Sequence, residues 1–327
     1  MKQISPYELG ATLYMPATRD DLLKIIFNRK IDGLRSLVIC LEDAVSDADV
    51  SAGLHNLAKV LSCIEEVGGR PADGPLVFVR PRNSSMAATL AQWPQIRHID
   101  GFVAPKFSRA TLSKWEQAMG ESDLLLMPTL ESADVFDPLA MSTLKNSLVS
   151  SSLRERILVL RIGGNDLMGC LGLRRDASRS LYDGPMGYVI PMLVGIMGSA
   201  GFALTAPVYE RMDNIDVLKA ELARDVAHGL VGKTAIHPCQ IETIHEALKV
   251  SVEDLNAAKL ILAQDAAAVF KHGGAMCEPA THRAWAKSIV DRAQWQGVRG
   301  SSPLASDADV VVRPVHFGAV PVAACMA

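Results

Sequence analysis

Short apolar runs recur along the first 240 residues, and amphipathic, helix-like stretches separate them. A continuous apolar run is typical of a strand buried on both faces, as happens where helices cover a parallel sheet. Eight strand–helix units in this length predict a closed (β/α)₈ TIM barrel of the α/β class, with a doubly wound open sheet as the alternative. The eight runs are Ala11–Ala17, Ser36–Leu41, Leu76–Arg80, Gly101–Lys106, Leu124–Leu130, Ile157–Ile162, Phe202–Pro207 and Lys233–His237.

Beyond the eighth run the pattern becomes purely helical. Helices are predicted over Ile241–Val250, Ser251–Lys271 and Pro279–Gln296, and His272-Gly273-Gly274 is interpreted as the end of the second helix. His245 has no partner motif on its helix and is expected at the surface. These patterns divide the chain into a barrel over 1–250, a C-terminal helical extension over 251–297 and an irregular tail over 298–327, where Val310–Val312 predicts a strand or a docked arm.

Composition narrows the class of protein. The 327 residues are 49% hydrophobic and 21% charged, which indicates a large core and not a disordered chain. A net charge of −3 provides no field that would attract nucleic acid or an anionic membrane. The residues after Met1 lack an apolar signal core, and no apolar run reaches about 18 residues, so a cytoplasmic protein is expected. The six cysteines show no C-x₂₋₄-C spacing and predict free thiols, not a zinc site.

Polar clusters follow nearly every apolar run. In a parallel barrel all strand carboxyl ends lie at one face, so these groups converge there, as in a barrel active site. The clusters are Glu42-Asp43, Arg80–Asn83, Pro105-Lys106, Glu131-Ser132, Gly163–Asp166, Tyr209-Glu210 and His237-Pro238.

Four acidic residues, Glu42, Asp43, Glu131 and Asp166, would repel one another at this face unless a cation or protons intervene. Oxygen ligands without a cysteine pair or an H-E-x-x-H motif favour Mg²⁺ or Mn²⁺. Each acidic residue alone could instead be a helix N-cap. Polar residues at five or six strand ends together favour an active site.

The same face carries positive charge and glycine. Arg80, Arg82 and Lys106 suit a substrate with a carboxylate. Gly163 and Gly164 would let the backbone approach a ligand. Together with a metal, these groups predict stabilisation of an enolate next to the carbonyl of a 2-oxoacid or dicarboxylate.

Several strand-end motifs stand in one order: Leu13-Tyr14-Met15-Pro16 with Arg19, Leu41–Val45, Val79-Arg80 with Asn83, Pro105-Lys106, Glu131-Ser132, Gly164–Leu167 and Gly232–Pro238. Over roughly residues 10–296, this set resembles the HpcH/HpaI aldolase and citrate-lyase β-subunit family of the phosphoenolpyruvate/pyruvate superfamily. It also resembles a lyase-like branch encoded near tellurium-resistance genes. The resemblance implies a carbon–carbon lyase with a (β/α)₈ barrel followed by helices.

The resemblance also implies roles for residues. Glu131 and Asp166 would bind Mg²⁺ directly, Glu42 and Asp43 would orient metal-bound water, and Arg80 would bind the substrate carboxylate or carbonyl oxygen.

A second set of implied roles concerns the rest of the substrate and the assembly. Arg19 matches a position that meets phosphate or coenzyme A, while Lys106, Gly164 and Asn165 are expected to contact substrate. Glu278 would carry an acid into the active site of a neighbouring subunit of a homotrimer or homohexamer.

The chain departs from the family pattern at several positions. Gly10-Ala11-Thr12 and Pro16-Ala17 replace the usual residues around the first strand, which leaves an acyl-CoA substrate open beside a free oxoacid. Cys40 precedes the acidic pair where the family has aspartate, and Glu278 replaces an aspartate. Alternatives are an aldolase that runs in the synthetic direction, and a non-catalytic barrel that binds a metal-chelated oxoacid or a protein partner.

Overall fold

Eight parallel strands form a closed barrel in the computed structural model, which describes residues 4–28 and 30–300. The strands are β1 (Ala11–Pro16), β2 (Ser36–Cys40), β3 (Leu76–Arg80), β4 (Gly101–Ala104), β5 (Leu125–Leu130), β6 (Leu160–Ile162), β7 (Leu204–Thr205) and β8 (Lys233–Ala235). Neighbours follow chain order, and β8 returns to pair with β1. A bridge between Ala206 and Lys233 closes the ring, so the barrel prediction is confirmed against the open sheet.

The helices up to Leu248 surround the barrel and pack on it through a continuous apolar layer, whereas the last two pack on each other in a separate apolar cluster. None among the described residues is both long and apolar enough to cross a membrane. The helices are α1 (Leu22–Asn28), α2 (Val50–Glu66), α3 (Ser84–Ala91), α4 (Leu112–Met119), α5 (Pro138–Val149), α6 (Gly164–Cys170), α7 (Met186–Gly198), α8 (Ile215–Ala227), α9 (Ile241–Leu248), α10 (Val252–Leu262) and α11 (Pro279–Gln296).

The C-terminal extension differs from the prediction of a helix over Ser251–Lys271. That helix, α10, ends at Leu262, and β10 (Phe270–His272) pairs antiparallel with β11 (Ala275–Cys277). Gly273 and Gly274 have φ values of 56° and 81°, as a two-residue hairpin turn with two left-handed positions requires. The glycine pair is therefore a hairpin turn, and its interpretation as the end of a helix was wrong.

The end of the described chain returns to the start of the extension. After α11, β12 (Val298–Arg299) pairs in parallel with β9 (Val250–Ser251). This two-stranded sheet joins the residues that follow the last barrel helix to those near the end of the described chain. Val310–Val312, predicted to be a strand or a docked arm, lies outside the described residues.

His245 is buried, so its expected place at the surface was wrong. Its exposed fraction is 8%, and the backbone N–H of Ala11 on β1 donates to His245 Nε2 over 3.0 Å. Burial lowers the pKa of His245 to about 4, and the nearby Arg35 charge adds to this. The imidazole is therefore a neutral acceptor that ties α9 to the barrel.

Candidate active site

The inward-facing side chains change from apolar to charged toward the carboxyl ends of the strands. Successive side chains of a strand point to opposite faces, so every second residue lines the interior. On β3, buried Phe78 is followed by Arg80; along β5, buried Met127 is followed by Thr129 and then Glu131. A cleft of about 730 Å³ opens at this face, where the sequence predicted an active site.

Arg80 forms the centre of the charged cluster. Its Nε donates to Glu42 Oε2 over 2.9 Å, and its Nη2 contacts Asp43 Oδ2 at 3.0 Å and Glu131 Oε1 at 3.1 Å. The exposed fraction of Arg80 is 6%, so its charge-assisted bonds to the buried Glu42 and Glu131 are shielded from water, whereas the Asp43 side chain is 58% exposed. Among its bonds to described residues none involves Nη1, which leaves this nitrogen available to a ligand in the cleft that Arg80 lines.

Lys106 ties the carboxylates together from the other side. Its backbone has φ of 47°, a left-handed conformation that costs a non-glycine residue about 1–2 kcal/mol. This conformation comes with two contacts: the N–H donates to Glu131 Oε1 at 2.7 Å, and Nζ donates to Glu42 Oε1 at 2.8 Å. Nζ also lies 3.8 Å from Asp43 Oδ1 and from Asp166 Oδ1.

The cluster contains more negative than positive charge. Burial raises the pKa of Glu131 to about 7, although Arg80 lowers it. Burial and the adjacent Glu42 carboxylate also raise the pKa of Asp43, whereas the hydrogen bond from Asp43 and the charge of Arg80 hold the pKa of Glu42 below its usual value despite burial. Four carboxylates face two cations, so a divalent cation would stabilise the ionised cluster.

The predicted metal ligands, Glu131 and Asp166, both line the cleft. Glu131 uses Oε1 for its bonds to Arg80 and Lys106, which leaves Oε2 for another partner. In the described part of the chain no group of three or more His, Cys, Asp or Glu side chains is placed so that it could hold a metal ion by itself. Mg²⁺ commonly takes one or two carboxylates and completes its shell with water and substrate oxygens, so this pair fits Mg²⁺ better than an all-protein metal cage.

Other predicted residues have positioning roles or lie at the rim. Gly164 is buried at the start of α6, where a Cβ would lie 2.8 Å from the Pro207 side chain, and Asn165 is exposed at the cleft edge. Arg82 donates instead to the Leu41 and Val45 carbonyls, at 3.1 and 2.7 Å. It therefore holds the loop that carries the acidic pair, and it does not line the cleft.

Arg19 and Glu278 lie away from this cleft. Arg19 forms a two-pronged ion pair with Asp21, at 2.8 and 2.7 Å, and lines a separate cavity of about 480 Å³. Glu278 stands at the start of α11, where its backbone N–H donates to His282 Nδ1. The predicted role of Glu278 concerns a neighbouring subunit and stays a prediction.

Arg161 on β6 lines the cleft, and the sequence reasoning did not identify it. Its exposed fraction is 2%; Nη2 donates to Thr234 Oγ1 at 2.5 Å, and the guanidinium carbon lies 5.2 Å from the Tyr14 ring centroid. The sequence could have indicated Arg161, because a charged residue inside the apolar run Ile157–Ile162 must be buried with the strand.

The chain belongs to the family of carbon–carbon bond lyases of the TIM-barrel fold, whose family model matches residues 3–298. The match confirms the predicted barrel, the resemblance to the citrate-lyase-like family and the reaction class of a carbon–carbon lyase. A search of the curated proteins gave no significant match.

Solved structures with the same fold have low sequence identity to the chain. A citrate lyase from Burkholderia xenovorans is 16% identical with a TM-score of 0.66, covering 90% of this chain and 96% of that one. The protein CitE from Mycobacterium tuberculosis is 19% identical with a TM-score of 0.62, covering 88% and 99%. Malate synthase from Haloferax volcanii is 17% identical with a TM-score of 0.57, covering 72% and 74%. These likenesses support the fold.

Proposed function

We propose that the protein is a Mg²⁺-dependent lyase that cleaves a carbon–carbon bond of a 2-oxoacid or hydroxyacid through an enolate. The carrying observation is the Arg80-centred carboxylate cluster beside Glu131 and Asp166, at the face where barrel enzymes act. The CitE structure contains magnesium, acetoacetate and coenzyme A, and the malate synthase structure contains magnesium and glyoxylate. Mn²⁺ is the alternative cation, and an acyl-CoA is the alternative substrate.

In this proposal Glu131 Oε2 and the Asp166 carboxylate hold the cation. When bound, Mg²⁺ supplies Lewis-acid polarisation of the carbonyl and stabilises negative charge on its oxygen. Arg80 offers Nη1 to the substrate carboxylate or the developing oxyanion, and Glu42, Asp43 and Glu131 fix its guanidinium before substrate arrives. Such preorganised donors stabilise a transition state without reorganisation during the reaction.

The remaining groups position the site or move a proton. Glu42 binds both Arg80 and Lys106, so it sets the spacing between the two cations. Lys106 Nζ, whose side chain is 55% exposed, can reach a substrate oxygen near Asp166. Glu278 is the proposed proton carrier in the cleft of a neighbouring subunit of a homotrimer or homohexamer, and Glu278→Gln would test that role.

The test is proton exchange at C3 of pyruvate or oxaloacetate in D₂O, followed by ¹H NMR with and without Mg²⁺. We expect exchange that requires Mg²⁺ and disappears in Glu131→Gln and Asp166→Asn with the fold intact. Asp213→Asn is the matched control, because Asp213 is exposed and pairs with Arg211. Full activity in either ligand variant would contradict the assignment. Binding of metal and oxoacid without exchange would favour a non-catalytic binding barrel.

A further inference from the structure

Arg161 differs from every other buried cation in the described part of the chain by lacking strong partners. Its contacts are the Thr234 hydroxyl, the Met127 sulfur at 4.0 Å, and the ring and polar end of Tyr14. No carboxylate of the described residues forms an ion pair with it. By contrast, Arg80 binds three carboxylates, Arg175 binds Glu210 and Glu221, Lys233 binds Glu221 and Asp225, and Arg156 donates to three carbonyls and a hydroxyl.

Such a guanidinium is expensive to bury. Arginine stays charged in proteins, so it cannot avoid the cost of desolvation by losing its proton. Burial lowers the pKa of Arg161 and the charge of Arg80 lowers it further, while Tyr14 and the more distant Glu131 act in the opposite direction without restoring its usual value. An anion beside Arg161 would offset both effects. The cleft that Arg161 lines is the route by which a small anion could reach it.

Two neighbouring hydroxyls also lack partners. In the barrel register Thr129 on β5 pairs with Arg161, and Arg161 pairs with Thr205 on β7, so the three side chains share the inward face. Thr129 Oγ1 and Thr205 Oγ1 are buried and have no hydrogen-bond partner among the described residues. Buried polar atoms are normally paired, and three adjacent side chains with unmet capacity indicate a ligand. We call these three residues the cleft floor.

The cleft floor lies one layer below the proposed metal ligands. Thr129 lies on β5 and Glu131 directly follows the end of that strand, so they lie two positions apart, which corresponds to about 7 Å along a strand. This separation suits a short diacid, with one end at the level of Glu131 and the other at Arg161. A monocarboxylate held near Glu131 would leave Arg161 without an anion.

We propose that the cleft floor binds a second carboxylate of the substrate, so that the natural substrate is a short 2-oxo dicarboxylate. This inference rests on the proposed function, which places the oxoacid end beside Glu131 and Asp166. The Arg161 guanidinium and the Thr129 hydroxyl, which both line the cleft, donate to this carboxylate, and Thr205 lies buried beside Arg161 on the neighbouring strand.

The test uses two ligands of matched length, oxaloacetate and 2-oxobutyrate, which differ by a terminal carboxylate in place of a methyl group. Their affinities for the Mg²⁺-loaded protein are measured by calorimetry with freshly prepared oxaloacetate. We expect Arg161→Met to weaken oxaloacetate binding at least about tenfold and to change 2-oxobutyrate binding by less than about twofold, because only the diacid loses a buried charge partner. Thr129→Val should shift the same ratio in the same direction, by a smaller factor.

Thermal unfolding separates a binding role from a structural one. Replacing an unpaired buried charge with an apolar side chain should preserve or raise the Tm, so Arg161→Met is expected not to lower it. Arg156→Met is the control: it leaves buried carbonyls without donors and should lower the Tm with the ratio of the two affinities unchanged.

The other outcomes of these measurements would contradict either the carboxylate site or the proposed catalysis. Equal loss for both ligands, or no loss for either in Arg161→Met and Thr129→Val, would overturn the cleft floor as a carboxylate site. If neither ligand binds the unmodified Mg²⁺-loaded protein, this inference fails, and the proposed function then stands only for a hydroxyacid or an acyl-CoA substrate. If oxaloacetate binding depends on Arg161 but C3 exchange never occurs, only the proposed catalysis fails.

Discussion

Gly163 and Glu131 are packed so closely that a Cβ built on Gly163 would lie 2.4 Å from both Cβ and Oε2 of Glu131. The Gly163 backbone cannot easily yield, because its N–H donates to the Leu130 carbonyl over 3.0 Å where β5 and β6 adjoin. Sequence reasoning assigned the glycines to close approach of a ligand. At Gly163 the structure shows that the missing side chain makes room for the carboxylate.

Gly163→Ala should therefore displace the Glu131 carboxylate. We expect Mg²⁺ affinity to fall by about 10- to 100-fold, as it does when the support of a metal ligand is disturbed. Overpacking should also destabilise the fold by about 1–3 kcal/mol. Gly195→Ala is the control, because nothing lies within 4 Å of that position on α7. Unchanged Mg²⁺ affinity in Gly163→Ala, measured by calorimetry, would argue against Glu131 as a ligand.

Mg²⁺ should stabilise the folded protein. A ligand that binds only the native state stabilises it by about 2.7 kcal/mol at 100 times its Kd, so the Tm should rise with Mg²⁺ and return with a chelator. Asp166→Asn should abolish most of this rise, and Asp213→Asn should keep it. A full rise in Asp166→Asn would place the cation elsewhere. Differential scanning calorimetry makes the measurement without any substrate.

Lys233 should be essential for stability. Its Nζ lies 2.8 Å from Glu221 Oε1 and 2.9 Å from Asp225 Oδ2, and all three side chains are at most 2% exposed. Lys233→Met leaves buried carboxylates uncompensated, which costs about 3–5 kcal/mol. Urea unfolding gives the value, and Lys249→Met, which removes a more exposed ion pair with Glu246, should cost under about 1 kcal/mol. Equal losses in the two variants would contradict the prediction.

His245 should make stability depend on pH. Its folded-state pKa of about 4 lies below the unfolded value near 6.5, so the native state binds fewer protons between these values. Stability from this residue is therefore present above about pH 6.5 and is lost as the pH falls toward 4, by up to about 3 kcal/mol. Urea midpoints across this range measure it.

The matched variant is His245→Gln, which keeps an acceptor for the Ala11 N–H but does not titrate. Its stability should change less over pH 4–6.5 than that of the unmodified protein. His55→Gln, at an exposed position on α2, should retain the original pH dependence. Parallel curves for the unmodified protein and His245→Gln would show that His245 does not titrate in this window.

The pattern of apolar and charged residues along the sequence was enough to predict the barrel and the charged residues at the carboxyl ends of its strands. A run such as Leu76–Arg80 must be buried on both faces, and a charged residue at its end can face the cleft without being buried in the apolar layer. Glu42, Arg80 and Glu131 could be assigned to one face because parallel strands share a direction. Chain order and strand polarity suffice for that conclusion.

Tertiary structure alone decided which of these groups touch and what lies beneath them. Arg161 meets Thr234 across 73 positions, and Ala11 meets His245 across 234. Neither pairing leaves a local trace, because a side chain's partner across the barrel depends on strand register and packing, not on its neighbours in the chain. The unpaired guanidinium of Arg161 could be recognised only when every carboxylate of the described residues had been placed.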